Sequence, residues 1–94
     1  MISGETKFID ALRLLANQMR RFGVISMEMQ DEEDLVVAHL LNFFEHNIQK
    51  TMLWLETPNP LLGQLVPATL LVLRRPGTQK VLKFVETQLA ENER

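Results

Sequence analysis

Residues 54–77 read WLETPNPLLGQLVPATLLVLRRPG, and the placing of their prolines and glycines decides the fold. Trp54 and Leu55 end an apolar helical run that Thr57, Pro58, Asn59 and Pro60 cannot continue, because proline has no amide donor and its ring clashes with the preceding turn. Leu62-Gly63 leads to Pro67, whose fixed φ suits the first position of a new helix. In that helix Leu70, Leu71 and Leu73 form the apolar set, and Pro76-Gly77 is read as its end. Thr78 then caps a last helix reaching about Glu91, with Val81, Leu82, Val85 and Leu89 inward and Lys80, Lys83 and Glu86 outward. Leu61 and Leu62, apolar residues between turn formers, are expected to pack down against the tryptophan helix.

Working toward the N-terminus, Phe8, Ile9, Leu12, Leu15, Ala16, Met19 and Phe22 recur at three- and four-residue steps, which predicts a helix over residues 5–22. Ser3 is its expected cap and Gly23 its stop, and Arg13, Asn17 and Arg20 mark the opposite face. Residues 24–29 alternate only briefly, and a lone short strand is marginal in water, so they read as a connector. Asp31, Glu32, Glu33 and Asp34 then open a second helix, where carboxylates interact favourably with the positive end of the helix dipole. Val37, Leu41, Phe44, Ile48 and Leu55 continue one stripe, widened by Leu40, Phe43 and Trp54. This run is either one long helix to Glu56 or two helices broken near His46-Asn47.

The reading is therefore an all-α, compact single-domain bundle of four to five helices spanning residues 1–94. A chain of 94 residues buries only about 60–65% of the surface its unfolded form exposes. With 46% apolar residues, wide stripes are left for a partner or a second copy, and self-association is expected, with Phe8, Leu12, Leu15, Met19 and Phe22 as contributors. The net charge of −2 lacks the positive field of non-specific nucleic-acid binding. The chain has no cysteine, which removes disulfides and thiolate chemistry and fits a reducing compartment. MISGETKFID has neither the basic start nor the apolar stretch of a secretory signal, and no run approaches a membrane span. The expectation is a soluble cytoplasmic protein.

Little in the chain points to catalysis. His39 and His46 stand seven apart without an acidic or cysteine partner at a metal-ligating spacing, and no glycine cluster or nucleophile-elbow pattern occurs. No cofactor is expected. Arg20-Arg21 reads as charge at a helix C-terminus, whereas Arg74, Arg75, Lys80 and Lys83 read equally as a solvated face or as a contact for an acidic partner. Trp54 is expected to anchor the core, with its indole N–H donating to a carbonyl in the turn that follows.

Trp54, Leu55, Pro58, Asn59, Leu62, Gly63, Pro67 and Gly77, followed by Val81, Val85 and Leu89, resemble the recurring pattern of the toxin-binding domain of Xre/MbcA/ParS-type antitoxins. The resemblance covers residues 44–94 and implies a helical break before the tryptophan helix. It also implies binding and neutralisation of a cognate toxin, commonly of the RES-type fold that consumes or transfers from NAD, by covering the toxin's active-site entrance with the C-terminal region. In this chain that region is residues 81–94.

The chain departs from the family pattern in three places. The two long helical patterns before Trp54 are too few for the DNA-binding helix-turn-helix domain many members carry. Gln64 stands where the family often has a second glycine, and Val66 where it has a Ser or Thr cap, a feature worth about 0.5–2 kcal/mol. The tail after Leu89 also lacks the usual glycine.

The resulting expectation is a non-catalytic antitoxin-like binding module whose partner-facing residues are Arg74, Arg75, Lys80, Lys83, Leu89 and Arg94. The alternatives are a homo-oligomeric adaptor with another protein partner, or a small DNA-binding regulator that the acidic balance disfavours.

Overall fold

The computed structural model describes residues 4–28 and 30–92. Among these the chain is all-α, with helices α1 (Gly4–Arg21), α2 (Asp31–Phe43), α3 (Ile48–Glu56), α4 (Pro67–Val72) and α5 (Arg75–Asn92), plus a 3-10 turn at Pro60–Leu62. The expected caps of α1 at Ser3 and the last residue of the connector, Met29, lie outside the described residues.

Helix α1 ends as its sequence dictates. Gly23 takes the left-handed conformation at φ 71°, so the Val24 amide donates to the Met19 carbonyl and the Gly23 amide to the Arg20 carbonyl, both at 3.0 Å. This paired closure satisfies carbonyls that the last helical turn leaves open. The same geometry ends α2, with His46 N–H donating to Leu41 at 2.8 Å and Glu45 N–H to Asn42 at 3.2 Å. There, however, the left-handed positions are Glu45 and His46, at φ 52° and 67°. The long apolar run is thus two helices, and Asn47 restarts the second by accepting from the Lys50 amide at 2.9 Å.

Helix α2 lies between α1 on one side and α5 on the other, while α3 closes against α1, α2 and α4, and α4 packs on α5. Its Val36, Val37, Leu40 and Leu41 are fully buried, which is why the segment is apolar on more than one stripe. They meet Leu15 and Met19 of α1, Leu55 of α3, Leu70 and Leu71 of α4, and Val81 and Val85 of α5 in one core. An aromatic row runs along its edge: Phe43 meets Phe44 edge-on at 4.9 Å, Phe44 meets Trp54 at 5.9 Å, and Trp54 stacks on Phe84 at 6.1 Å. This row ties α3 to α5.

Several expectations from sequence are corrected. Pro76-Gly77 does not end α4. That helix stops at Val72, Arg74 turns the chain at φ 66°, and Pro76 and Gly77 lie in the first turn of α5. Proline is tolerated in a first turn because its missing N–H has no helical acceptor there. Thr78 is accordingly no cap; it is a buried helical residue whose amide donates to the Arg74 carbonyl at 2.8 Å. Leu73 caps α4 and is 65% exposed, and Leu61 is 72% exposed, so neither packs inward as expected; only Leu62 reaches the core. Ile9 and Phe22 are exposed members of the α1 stripe, because the contact with α2 is narrower than the periodic pattern and Phe22 lies beyond the last helical residue.

Candidate protein-binding surfaces

The segment between α3 and α4 is a self-closed turn built around Asn59. Its side chain accepts from the Leu61 amide at 2.9 Å. Its own amide donates to Leu65 at 3.0 Å, and its carbonyl accepts from Leu62 and Gln64, each at 2.9 Å. Proline on either side fixes the approach, and Gly63 and Gln64 follow in the left-handed region, both at φ 67°. Glycine occupies that region without strain, whereas a glutamine there carries a steric cost. Pro67 opens α4 at its first position and is buried, and Val66 before it supplies no side-chain cap.

Gly77 has a different task. A β-carbon built on it would lie 1.7 Å from the backbone oxygen of Leu70, so the start of α5 touches the backbone of α4 directly. No side chain fits between them.

The expected basic contact residues divide into two groups. Arg74 and Arg75 line a groove of about 610 Å³ opposite Asp31, Glu32 and Glu33 at the start of α2. Arg75 Nε stands 3.5 Å from Glu32 Oε1, and Arg74 Nη1 reaches the carbonyls of Gly23 and Leu71, each at 3.4 Å. Arg75 thus faces the start of α2, and Arg74 the turn that follows α1. Lys80 and Lys83, by contrast, lie on the exposed outer face of α5 and do not line that groove. Leu89 is partly buried and packs against the core. Arg94 lies outside the described residues.

The structure also gives Glu33 a role that the acidic run did not single out. It is buried at 3% exposure, and its carboxylate accepts from the Ser26 amide at 2.8 Å and the Gln30 amide at 3.0 Å, pinning the connector to α2. The signal was present as Gln30 followed three residues later by Glu33, the spacing by which a side chain reaches back to the cap amide.

Trp54 is only partly buried, held between Phe44 and Phe84, and among the described residues its indole donates no hydrogen bond to the following turn. His39 is half-buried in α2, while His46 lies in the turn beside Phe8 at a ring distance of 5.6 Å, so the two share no helix face. Among the described residues no group of three or more His, Cys, Asp or Glu converges as metal ligands would, and no helix is long and apolar enough to cross a membrane.

Large apolar side chains are left outside. Phe22, Leu53 and Val72 are 60%, 66% and 52% exposed, beside Leu61 and Leu73 already described. Two apolar depressions accompany them. One, of about 460 Å³, lies between α1 and α2 around Leu12, Leu35 and Ala38, with Asp31 and Asp34 among its lining residues. The other, of about 300 Å³, lies between the end of α1, α3 and α4. Such surfaces suit burial against protein. Comparisons with family models, with characterised proteins and with solved structures return no match to this chain.

Proposed function

We propose that this chain is a non-catalytic, antitoxin-like protein-binding module that neutralises a cognate toxin of the RES type by covering its active site. The observation that carries this reading is the backbone at Gln64. The resembled family often places glycine there, and this chain, which has glutamine, still holds the left-handed conformation that glycine would supply. The neighbouring positions support the same reading: Asn59 closes the turn, Pro67 opens α4, and Gly77 permits contact between α4 and α5. A motif whose members each do a separate geometric job is a stronger sign of shared architecture than the same residues scattered over a surface.

The contact surface in this proposal is the outer face of α5 with Lys80 and Lys83, which would meet acidic groups at the rim of the toxin's cleft and act mainly on association rate and salt dependence. Truncation after Leu82 is a poor test, since it removes Val85 from the core. The informative variant is Lys80→Glu with Lys83→Glu, co-expressed with a RES-type toxin encoded beside this chain. Slower complex formation and weaker growth rescue are expected. Failure of the intact chain to form any complex rejects the antitoxin reading.

A second reading, a homo-oligomeric adaptor, is favoured by the exposed apolar side chains of Phe22, Leu53, Leu61, Val72 and Leu73, which suit burial against protein.

A further inference from the structure

We propose that the groove between the start of α2 and the start of α5 binds a free α-amino acid with a polar side chain, its carboxylate held by Arg74, Arg75 and the Thr78 hydroxyl and its ammonium by Asp31 and Glu32. This goes beyond the protein-binding reading and is independent of it.

The two walls of the groove carry opposite charge. Arg74 precedes and Arg75 opens α5, whose first turn contains no acidic residue, so guanidinium charge adds to the positive end of an uncompensated helix dipole. Asp31, Glu32 and Glu33 stand across from them at the start of α2. Glu33 is already engaged, its carboxylate accepting from the Ser26 and Gln30 amides, which leaves Asp31 and Glu32 for a cation. An anion alone would meet these carboxylates, and a cation alone the arginines. A zwitterion satisfies both walls.

Thr78 points to a ligand independently of these charges. It is only 2% exposed and yet lines the groove. Thr51, Thr57 and Thr87 each donate to the carbonyl four residues back, whereas among the described residues the Thr78 hydroxyl makes no such bond, nor any other. Buried hydroxyls are ordinarily paired, and the groove is the direction from which a partner reaches this one.

The ion pair across the groove leaves the site open. Arg75 Nε and Glu32 Oε1 are 3.5 Å apart, longer than the roughly 2.7–2.9 Å of a charge-assisted hydrogen bond, and the Arg75 side chain is 80% exposed. Exposed pairs contribute little to stability, so admitting a carboxylate and an ammonium exchanges one loose contact for several close ones. The volume of about 610 Å³ falls within the roughly 300–1,000 Å³ of small-molecule sites. Every residue lining it is polar or charged, which suits a polar side chain.

The test is titration of the intact chain with L-glutamine, followed through the amide resonances of an isotope-labelled sample. Saturable shifts are expected at Glu32, Arg75, Gly77 and Thr78 by about 10 mM, the weak range appropriate to a few polar contacts in an open groove. N-acetyl-L-glutamine, which lacks the ammonium, and L-glutamine amide, which lacks the carboxylate, should each bind at least about 10-fold more weakly, as expected for losing a charged hydrogen-bond partner. Arg75→Gln and Glu32→Gln, at side chains outside the core, should do the same to L-glutamine while circular dichroism shows them folded. Thr78→Val, which removes the hydroxyl, should also weaken binding; the two exposed-wall variants decide the matter if it does not fold. No saturable shift, shifts confined to residues elsewhere, or equal binding of the N-acetyl or amide compound overturns the proposal. None of these results touches the protein-binding reading, which rests on complex formation with the toxin.

Discussion

Replacing Gly77 by alanine should destabilise the fold, although glycine-to-alanine changes inside helices ordinarily do the opposite. Alanine is favoured in a helix interior by about 1 kcal/mol, and Gly77 is the third residue of α5. The new β-carbon, however, would sit 1.7 Å from the Leu70 oxygen and 2.6 Å from its carbonyl carbon. An ordinary carbon–oxygen contact needs roughly 1.5 Å more, and no side chain can swing away, because both partners are backbone. Helices α4 and α5 must therefore move apart where Leu70, Leu71 and Val81 fill the core. Overpacking typically costs about 1–3 kcal/mol, occasionally more; a backbone clash belongs at the upper end or above. After subtracting alanine's propensity gain, the expected net loss is about 2–3 kcal/mol. Urea unfolding followed by circular dichroism would read this as a midpoint lower by about 2 M, taking a slope near 1 kcal/mol/M for so small a domain. Gly23→Ala is the control: nothing lies within 4 Å of its β-carbon, so only the left-handed backbone resists, at about 1–2 kcal/mol. A midpoint for Gly77→Ala equal to or above wild type would refute the reasoning, because it would mean that α5 can leave α4 at no cost.

Glu33→Ala should cost about 1–3 kcal/mol, since it strands the Ser26 and Gln30 amides that the carboxylate now satisfies; hydrogen exchange should accelerate at those two amides first, and uniform protection would contradict the latch. Gln64→Gly should stabilise by about 0.5–1 kcal/mol, because it relieves a left-handed side-chain residue at φ 67° while loosening the unfolded chain. A higher melting temperature checks it, and a lower one would show that the glutamine side chain compensates its own backbone. Trp54→Ala should cost about 2–3 kcal/mol, below the roughly 3–5 kcal/mol of a fully buried aromatic, because the indole is partly exposed between Phe44 and Phe84. Denaturant midpoints measure this, and an unchanged value would remove Trp54 from the tie between α3 and α5.

The sequence alone settled where helices cannot run and where they begin. Gly23, Pro58, Asn59, Pro60 and Pro67 act through local backbone chemistry, over distances of a few residues, so an all-α fold was legible without any partner in space, whereas the residues left open whether the run to Glu56 breaks before α3, and the left-handed backbone at Glu45 and His46 decides it. The inward stripe of α5 was legible for the same reason, since helical period places Val81, Leu82 and Val85 together. Tertiary structure decided whatever depended on which neighbour lies across. Gly77 reads as a helix stop from its own properties and proves to be a helix residue because α4 passes against it. Leu61 reads as packed inward because it is apolar, and stands outside because no second element covers it. The four basic residues read as one cluster because they are near in sequence, and separate because Arg74 and Arg75 face the start of α2 while Lys80 and Lys83 point away on α5. Apolar character is carried by the residue itself, but burial is a relation between surfaces distant in the chain, which local periodicity does not encode.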